Sequence, residues 1–443
     1  MSKLRILLLI LLLLAIVAIS VYYLQSRINP PTTTAETTTQ APTVSTTATS
    51  LTVTTTTETP VTTEDPYLPG TPELEFEVSA GGTATVVGIS DKTIKNVRIP
   101  NYTPDGNRVT AIAYGAFMLN SAMESVIIPK NVYRIAPSAF YGCGALKTVT
   151  FSDGLEYIDY AAFENCAALE SIHLPASLKD ISAGAFAGCT ALRHLTVSAE
   201  NAVFTAEGNC LILKSERKLV LGCKDSKIPK DVVTIGEFAF YGAGLTQLFL
   251  PASVRVIENQ AFAANRDLAT LDLGETLQSL GDLAFADCAS LTDVYLPASL
   301  VTIGVTPFRS CGKITHFAVA ESNPAYYAET LCLVRKSDKT VIQGFAGATV
   351  PENIRAIGAW AFAYTSVREI TLPIGAEVIA ESAFAYSALE SITLPKTVTE
   401  IAPNAFRQVS TLKTLTYGGS QERFDTLFNA VTLPSGITVT YGE

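Results

Sequence analysis

From about residue 100 onward the apolar positions fall into a frame that returns every 22 or 23 residues. In one copy Leu169, Ile172, Leu174 and Pro175 are followed by Leu178 and Ile181, then by Ala185, Phe186 and Cys189. The phenylalanines mark the register: Phe117, Phe140, Phe163 and Phe186, then Phe240, Phe262, Phe285 and Phe308, then Phe362, Phe384 and Phe406. Each follows an alanine, except where Pro307 precedes Phe308, and two of the steps are 54 residues long. A fixed period in the twenties predicts a repeat solenoid, because one turn cannot bury its apolar side alone and must stack on its neighbours. Ile172 and Leu174 alternate with outward His173, which predicts one parallel strand per turn. The Leu178 to Ile181 segment predicts a second short extended side, and the Ala-Phe stretch a tight helical or turn segment whose Phe fills the interior. Eleven such turns, at roughly 4.8 Å each, make a sheet about 50 Å long.

The two long steps are themselves a repeat. His194 matches His316, Asn201 matches Asn323, Cys210 matches Cys332, and Lys214 matches Lys336, all at a constant offset of 122. Each inserted unit, at about 198–228 and 320–350, holds two apolar runs around a polar turn. In the first copy the runs are Cys210 to Leu213 and Lys218 to Leu221, and they predict a β-hairpin.

The N-terminal end follows other rules. After the basic tail 1–5, with Lys3 and Arg5, residues 6–24 carry no charge, and ~19 such residues nearly cross a hydrocarbon core. The flanking charges favour export of everything that follows. Two readings stand: an uncleaved membrane anchor, or a signal peptide cut after Ser20. Residues 30–66 are mostly Thr with Pro, Ala, Val and Glu. Such a stretch cannot bury a core and reads as an extended stalk, on the order of 100 Å if fully drawn out at ~3.1 Å per residue.

Composition narrows the function. Charged residues are 16% of the chain, against roughly 25% in an average soluble protein, as a long stacked core requires. The net charge of −10 argues against a nucleic-acid partner, which would need a basic stripe. Candidate chemistry is sparse. The three histidines, His173, His194 and His316, fall on strands of different turns, and no metalloprotease, nucleophile-elbow or phosphate-loop pattern occurs. Ser215 to Lys218 matches a Ser-x-x-Lys spacing, but in a hairpin turn. No catalytic residue, metal or cofactor is expected. Cys143, Cys166, Cys189, Cys288 and Cys311 all lie three residues after a repeat Phe, in a column that elsewhere holds Asn120, Asn265, Ala243, Thr365 or Ser387. Neighbouring turns bring such residues within about 5 Å, inside disulfide range, yet a run of three cannot all pair, so buried free thiols are expected. A Cys210–Cys223 bridge stays open, although the second copy sets Phe345 opposite Cys332. Trp360 is expected to pack on a neighbouring turn.

The frame resembles the BspA-like, or Treponema pallidum type, leucine-rich repeats. The resemblance covers nearly everything beyond the stalk. It implies leucine-rich repeats of about 23 residues with a parallel sheet on one face and two inserted β-hairpins. Residues 72–111 look like the family's N-terminal cap, 112–416 like its solenoid, and 417–443 like its closing segment, with Phe424 where an aromatic is usual. The resemblance also implies a secreted or surface protein associated with adhesion. In such a solenoid the outward strand positions form the binding surface. The middle column runs Ile127, Thr150, His173, Thr196, then Phe249, Asp272, Tyr295, Ala318, then Thr371, Thr393 and Thr416. His173, Phe249, Asp272 and Tyr295 are the candidate ligand-binding residues, since exposed aromatics in a polar setting anchor protein interfaces. The expectation is a membrane-tethered surface protein that binds an extracellular protein or cell-surface ligand. The alternative is a structural coat or spacer.

Overall fold

The computed structural model describes residues 70–442. The basic tail 1–5, the apolar segment 6–24 and the spacer 30–66 lie outside the described residues. Among the described residues no helix is long and apolar enough to cross a membrane.

The repeat frame builds a solenoid with parallel strands on two sides. On the broad side, Ser171–Leu174 pairs in parallel with His194–Val197, setting Leu195 beside Ile172 and Thr196 beside His173. Period-two alternation then decides burial: Ile172 and Leu174 are inside, Ser171 and His173 outside. On the opposite side a narrow ladder joins two-residue strands, such as Tyr157–Ile158 with Asp180–Ile181. This ladder is where the second apolar pair of the frame goes, with Leu178 and Ile181 both buried.

The Ala-Phe segments are tight turns rather than helices. Their amides form a third row of bonds between turns: Phe163 N–H donates to Ala185 O at 2.7 Å, and Asn165 N–H to Ala187 O at 2.8 Å. Aiming them that way needs left-handed backbone on both sides of the Phe, as at Ala161 (φ 55°) and Asn165 (φ 60°), or Ser382 (φ 53°) and Tyr386 (φ 58°). Each such non-glycine residue costs on the order of 1 kcal/mol, a strain that the inter-turn bonds and the buried rings offset. The rings stack in columns. Phe117, Phe140, Phe163 and Phe186 follow one another at 4.9, 4.9 and 5.0 Å, nearly parallel.

The cysteine column caps this arrangement. Cys143, Cys166 and Cys189 donate to the carbonyls of Phe117, Phe140 and Phe163 at 3.1, 3.2 and 3.2 Å. Asn265 serves the same position with its amide, donating to the oxygens of Phe240 and Phe262 at 2.8 Å each. All eight cysteines are free and buried, including Cys210 and Cys223. Burial pushes the thiols of Cys143 and Cys189 up to about 12.

The inserted units hold the hairpins that the apolar runs predicted, Cys210–Leu213 antiparallel to Lys218–Leu221. A third strand, Phe204–Glu207, precedes them in each meander, with Tyr326–Glu329 as its counterpart. The last strand of the meander then joins the narrow ladder, Lys218 and Leu219 pairing with Thr234 and Ile235. The meander is a wall between two cores: Leu211 packs with the core before it, Cys210 and Ile212 with the core after it. Cys332, Leu333 and Val334 repeat the division. A strand buried on both faces needs a continuous apolar run, which explains why these runs do not alternate.

The walls also interrupt the phenylalanine columns. No ring stack joins Phe186 to Phe240 among the described residues; Phe240 lies over Gly222 instead, where an added Cβ would come within 2.0 Å of the ring. Gly344 meets Phe362 in the same way, at 2.1 Å. Three cores result, each continuous within itself. At the C-terminal end the helix Gln421–Leu427, capped by Ser420, buries Phe424. That ring packs on Tyr417, Phe428 and Tyr441 at centroid distances of 6.0, 4.2 and 5.4 Å.

Candidate binding face

The parallel register turns sequence columns into rows on the broad sheet. Phe249 is paired with Asp272, and Tyr295 with Ala318, on two separate strand pairs that both cover the central core. Phe249 is 57% exposed and Tyr295 51%. The Asp272 carboxylate accepts from Gly274 N–H at 2.9 Å, which fixes the bend after its strand. His173 stands apart in the first section, its Nδ1 2.9 Å from Thr196 Oγ1. Phe249, Asp272 and Tyr295 are therefore brought into one section, and His173 is not.

A second outward column, which the sequence reading did not single out, completes the central section: Gln247, Thr270, Asp293 and His316. His316 Nδ1 lies 3.1 Å from Asp293 Oδ1. The signal for this column was the same alternation, read one step earlier in each strand.

Just ahead of the strands the sections differ in charge. In the first, Glu124 bridges Lys95 at 2.8 Å and Lys147 at 2.9 Å. Hydrogen bonds from Lys95 and Lys147 hold its carboxyl down at about 2. In the last, Glu390 bridges Arg368 at 2.8 Å and Lys413 at 2.6 Å, and Lys413 chiefly holds its carboxyl low. The same column in the central section is Thr246, Ala269, Thr292 and Thr315, all exposed and uncharged. The exposed aromatics thus sit where the charge ladders stop. Desolvating such a region costs less than desolvating a row of ions.

The first insert adds a cleft beside Phe249. The frame places a broad-sheet segment at Cys223 to Pro229, with Ile228-Pro229 standing where other turns have Leu-Pro. No strand forms there. Ser226 closes a turn, its N–H donating to Cys223 O at 3.1 Å and its hydroxyl to Asn209 O at 2.6 Å. Lys227 N–H donates to Gly208 O at 2.7 Å. The segment is thereby tied to the insert, and a cleft of about 450 Å³ opens between Lys224–Ile228 and Leu245–Phe249.

Another exposed aromatic group lies along the Ala-Phe turns. Tyr364 and Tyr386 stack at 4.8 Å, with Arg309 over the first ring at 5.2 Å and Arg407 over the second at 6.0 Å. The three histidines keep outward strand positions. Among the described residues no cluster of three or more His, Cys, Asp or Glu side chains has the spacing to hold a metal ion. Trp360 is half-buried at a left-handed turn position (φ 62°).

The family profile described as "BspA type Leucine rich repeat region (6 copies)" matches residues 110–211, 221–329 and 344–435. The chain belongs to this family. The BspA-type chain is also similar to a leucine rich cell surface protein from Faecalibacterium prausnitzii A2-165, at 21% identity over 84% of this chain and 100% of that one, with a TM-score of 0.45. It is similar to the pneumococcal vaccine antigen PcpA at 19% identity, over 86% of each chain, with a TM-score of 0.33. A T. pallidum leucine rich repeat protein matches at 22% identity, over 55% of this chain and 88% of that one, with a TM-score of 0.30. Among curated proteins no sequence matches the chain.

Proposed function

We propose that this BspA-type protein is a cell-surface adhesin. It is held to a membrane by residues 6–24 and carried outward by the 30–66 spacer. It grips an extracellular protein or cell-surface ligand through the central section of its broad sheet. The observation that carries this reading is the exposure of Phe249 and Tyr295 on one sheet section whose flanking column is uncharged, between two sections laced by ion pairs. Exposed aromatics on a rigid scaffold supply contact area at low entropic cost, and such residues dominate the energetics of protein interfaces. The family match favours a surface binding role over catalysis, which would need converging polar groups.

The test is capture of extracellular-matrix proteins, host-cell surface extract and cell-wall polysaccharide by the full-length chain. It is run beside a Phe249→Ala, Tyr295→Ala double variant. Capture that the variant loses by ten-fold or more supports the reading. Equal capture by both chains moves the site off this face, and no capture by the parent leaves a coat or spacer role.

A further inference from the structure

We infer that the cleft at the first insert is a strand-addition site for an extended acidic peptide segment of a partner protein. The inference rests on the reading of the chain as a binding protein and names a site and a partner chemistry for it.

Among the described residues the strand Gln247–Phe249 pairs on one side only, with Thr270–Asp272. Leu250 N–H donates to Asp272 O, and Thr246 O accepts from Ala269 and Thr270 N–H. Residues 246, 248 and 250 therefore face the neighbouring strand Thr270–Asp272. Successive residues of a strand turn their N–H and C=O groups to alternate sides, so Gln247 and Phe249 point theirs at the cleft. Among the described residues no strand pairs with Gln247–Phe249 on that side.

The other edge of the gap is closed. Asn209 accepts from Leu195 N–H at 2.8 Å and donates its amide to Arg193 O, taking the place of the next strand for His194–Val197. The segment that would otherwise cover Gln247–Phe249 is tied to the insert through Ser226 and Lys227. One edge is plugged by a side chain and the other left open. An open edge beside a walled cleft is the arrangement that receives an added strand, with the main chain supplying affinity and alternate side-chain pockets supplying selectivity. The cleft's ~450 Å³ lies within the range of ligand clefts.

The walls state the side chains such a peptide carries. Lys224 and Lys227 are both exposed on the rim, and neither has an ion-pair partner among the described residues. Asp225 between them is taken by Arg193 at 3.0 Å. The rim is thus cationic and selects acidic residues. Leu245, Leu248 and Phe240 line the deeper part and take an apolar side chain. The second insert carries Ala346 and Thr349 at the positions of Lys224 and Lys227, and Thr371 at that of Phe249, so this selectivity belongs to the first junction.

The test uses the full-length chain and a fluorescent, end-blocked octapeptide of alternating valine and glutamate, read by polarisation. The control peptide is N-methylated at every second residue, which removes the pairing N–H groups and keeps side chains and charge. The expected result is saturable binding that falls at least ten-fold on N-methylation. It also falls at least ten-fold in a Lys224→Glu, Lys227→Glu variant whose circular dichroism matches the parent, and it stays within two-fold in Lys92→Glu, a reversal at an exposed lysine that does not line the cleft. Absence of saturable binding overturns the inference, as does equal binding of the methylated peptide or indifference to the lysine reversal. Should the octapeptide fail while Phe249→Ala, Tyr295→Ala still abolishes capture of a protein ligand, strand addition falls and the face reading stands. Octapeptide binding without any captured protein has the opposite meaning.

Discussion

The two inserts, 122 residues apart, are the same device with different surfaces. Asn201 is buried and uses its whole amide: Nδ2 donates to the oxygens of Pro175 and Leu178 at 2.9 and 3.0 Å, and Oδ1 accepts from Val203 and Phe204 N–H at 2.8 and 2.7 Å. Asn323 does the same with Pro297, Leu300, Ala325 and Tyr326, at 2.8 to 2.9 Å. Lys214 and Lys336 each donate to the carbonyl of that asparagine at 2.6 Å. What changes is a set of residues around the edge and rim. Asn209 becomes Leu331, Cys223 becomes Phe345, and the lysines of the cleft become Ala346 and Thr349. The buried asparagine and the lysine on its carbonyl are the same in both copies, whereas the side chain that plugs the sheet edge and those on the rim differ. The rim is therefore where the two junctions acquire separate properties.

The equivalence of the two asparagines is the part most exposed to refutation. Asn201→Ala and Asn323→Ala each leave one carbonyl, that of Leu178 or Leu300, and two amides without partners, and take one of two donors from the carbonyl of Pro175 or Pro297; each should cost about 3–5 kcal/mol. Urea unfolding with hydrogen exchange resolved to each insert would check this, and costs differing by more than ~1 kcal/mol would break the comparison. The difference at Phe345 is tested next. Phe345 lies 4.7 Å from Phe317, so Phe345→Cys, which gives the second insert the first one's residue, should cost about 2–4 kcal/mol by cavity formation. A neutral result in thermal unfolding would mean that the second wall does not depend on its ring.

Smaller effects follow from the glycines and from Glu164. Gly222→Ala and Gly344→Ala push a methyl against Phe240 and Phe362 and should each cost about 1–3 kcal/mol. A harmless substitution at either one would show that its ring has room to retreat. Glu164 sits beside the first junction only; Ala286 holds the matching position at the second. Burial raises its carboxyl to about 7, near Tyr160 and Tyr241, with Tyr141 and Glu237 close by. A carboxyl raised in the folded state holds its proton longer there than in the unfolded chain. Stability is thus undiminished below pH 4.5 and falls as pH rises from there to about 7. Glu164→Gln should stabilise the chain at pH 8 by about 1–2 kcal/mol and have little effect at pH 4. Equal melting shifts at both pH values would remove the pH sensitivity assigned to this junction.

The sequence carried the solenoid, its period, the duplication and the hairpins, because a side-chain column repeated eleven times leaves little ambiguity in register. It did not carry the left-handed turn pairs, since Leu119, Ala264, Asp287 and Tyr364 adopt positive φ without the glycines that would announce it. Nor did it show the third strand of each insert, where Phe204–Glu207 buries only its first residue. The cysteine column is legible as buried free thiols, but its bonds to the phenylalanine carbonyls depend on the path of the turn. The candidate face was half legible. Alternation placed Phe249, Asp272 and Tyr295 outward, while the cleft depends on Ser226 and Lys227 leaving a sheet that their spacing says they should join.

The wall between cores bears on how long such a protein can become. Each meander finishes the core before it and starts the core after it with the same bonds, so a section of chain ends on a surface that fits another copy of itself. Inserting one more 122-residue unit would lengthen the rod by about five layers, roughly 24 Å at 4.8 Å per layer, with no new packing to invent. The C-terminal turn is covered differently: the helix Gln421–Leu427 sets the ring of Phe424 against Tyr417 at 6.0 Å, and Thr438–Tyr441 adds one more parallel strand beside Thr414–Tyr417. A chain shortened before that helix would present a bare end to its neighbours, and length would be set by concentration instead of by the gene.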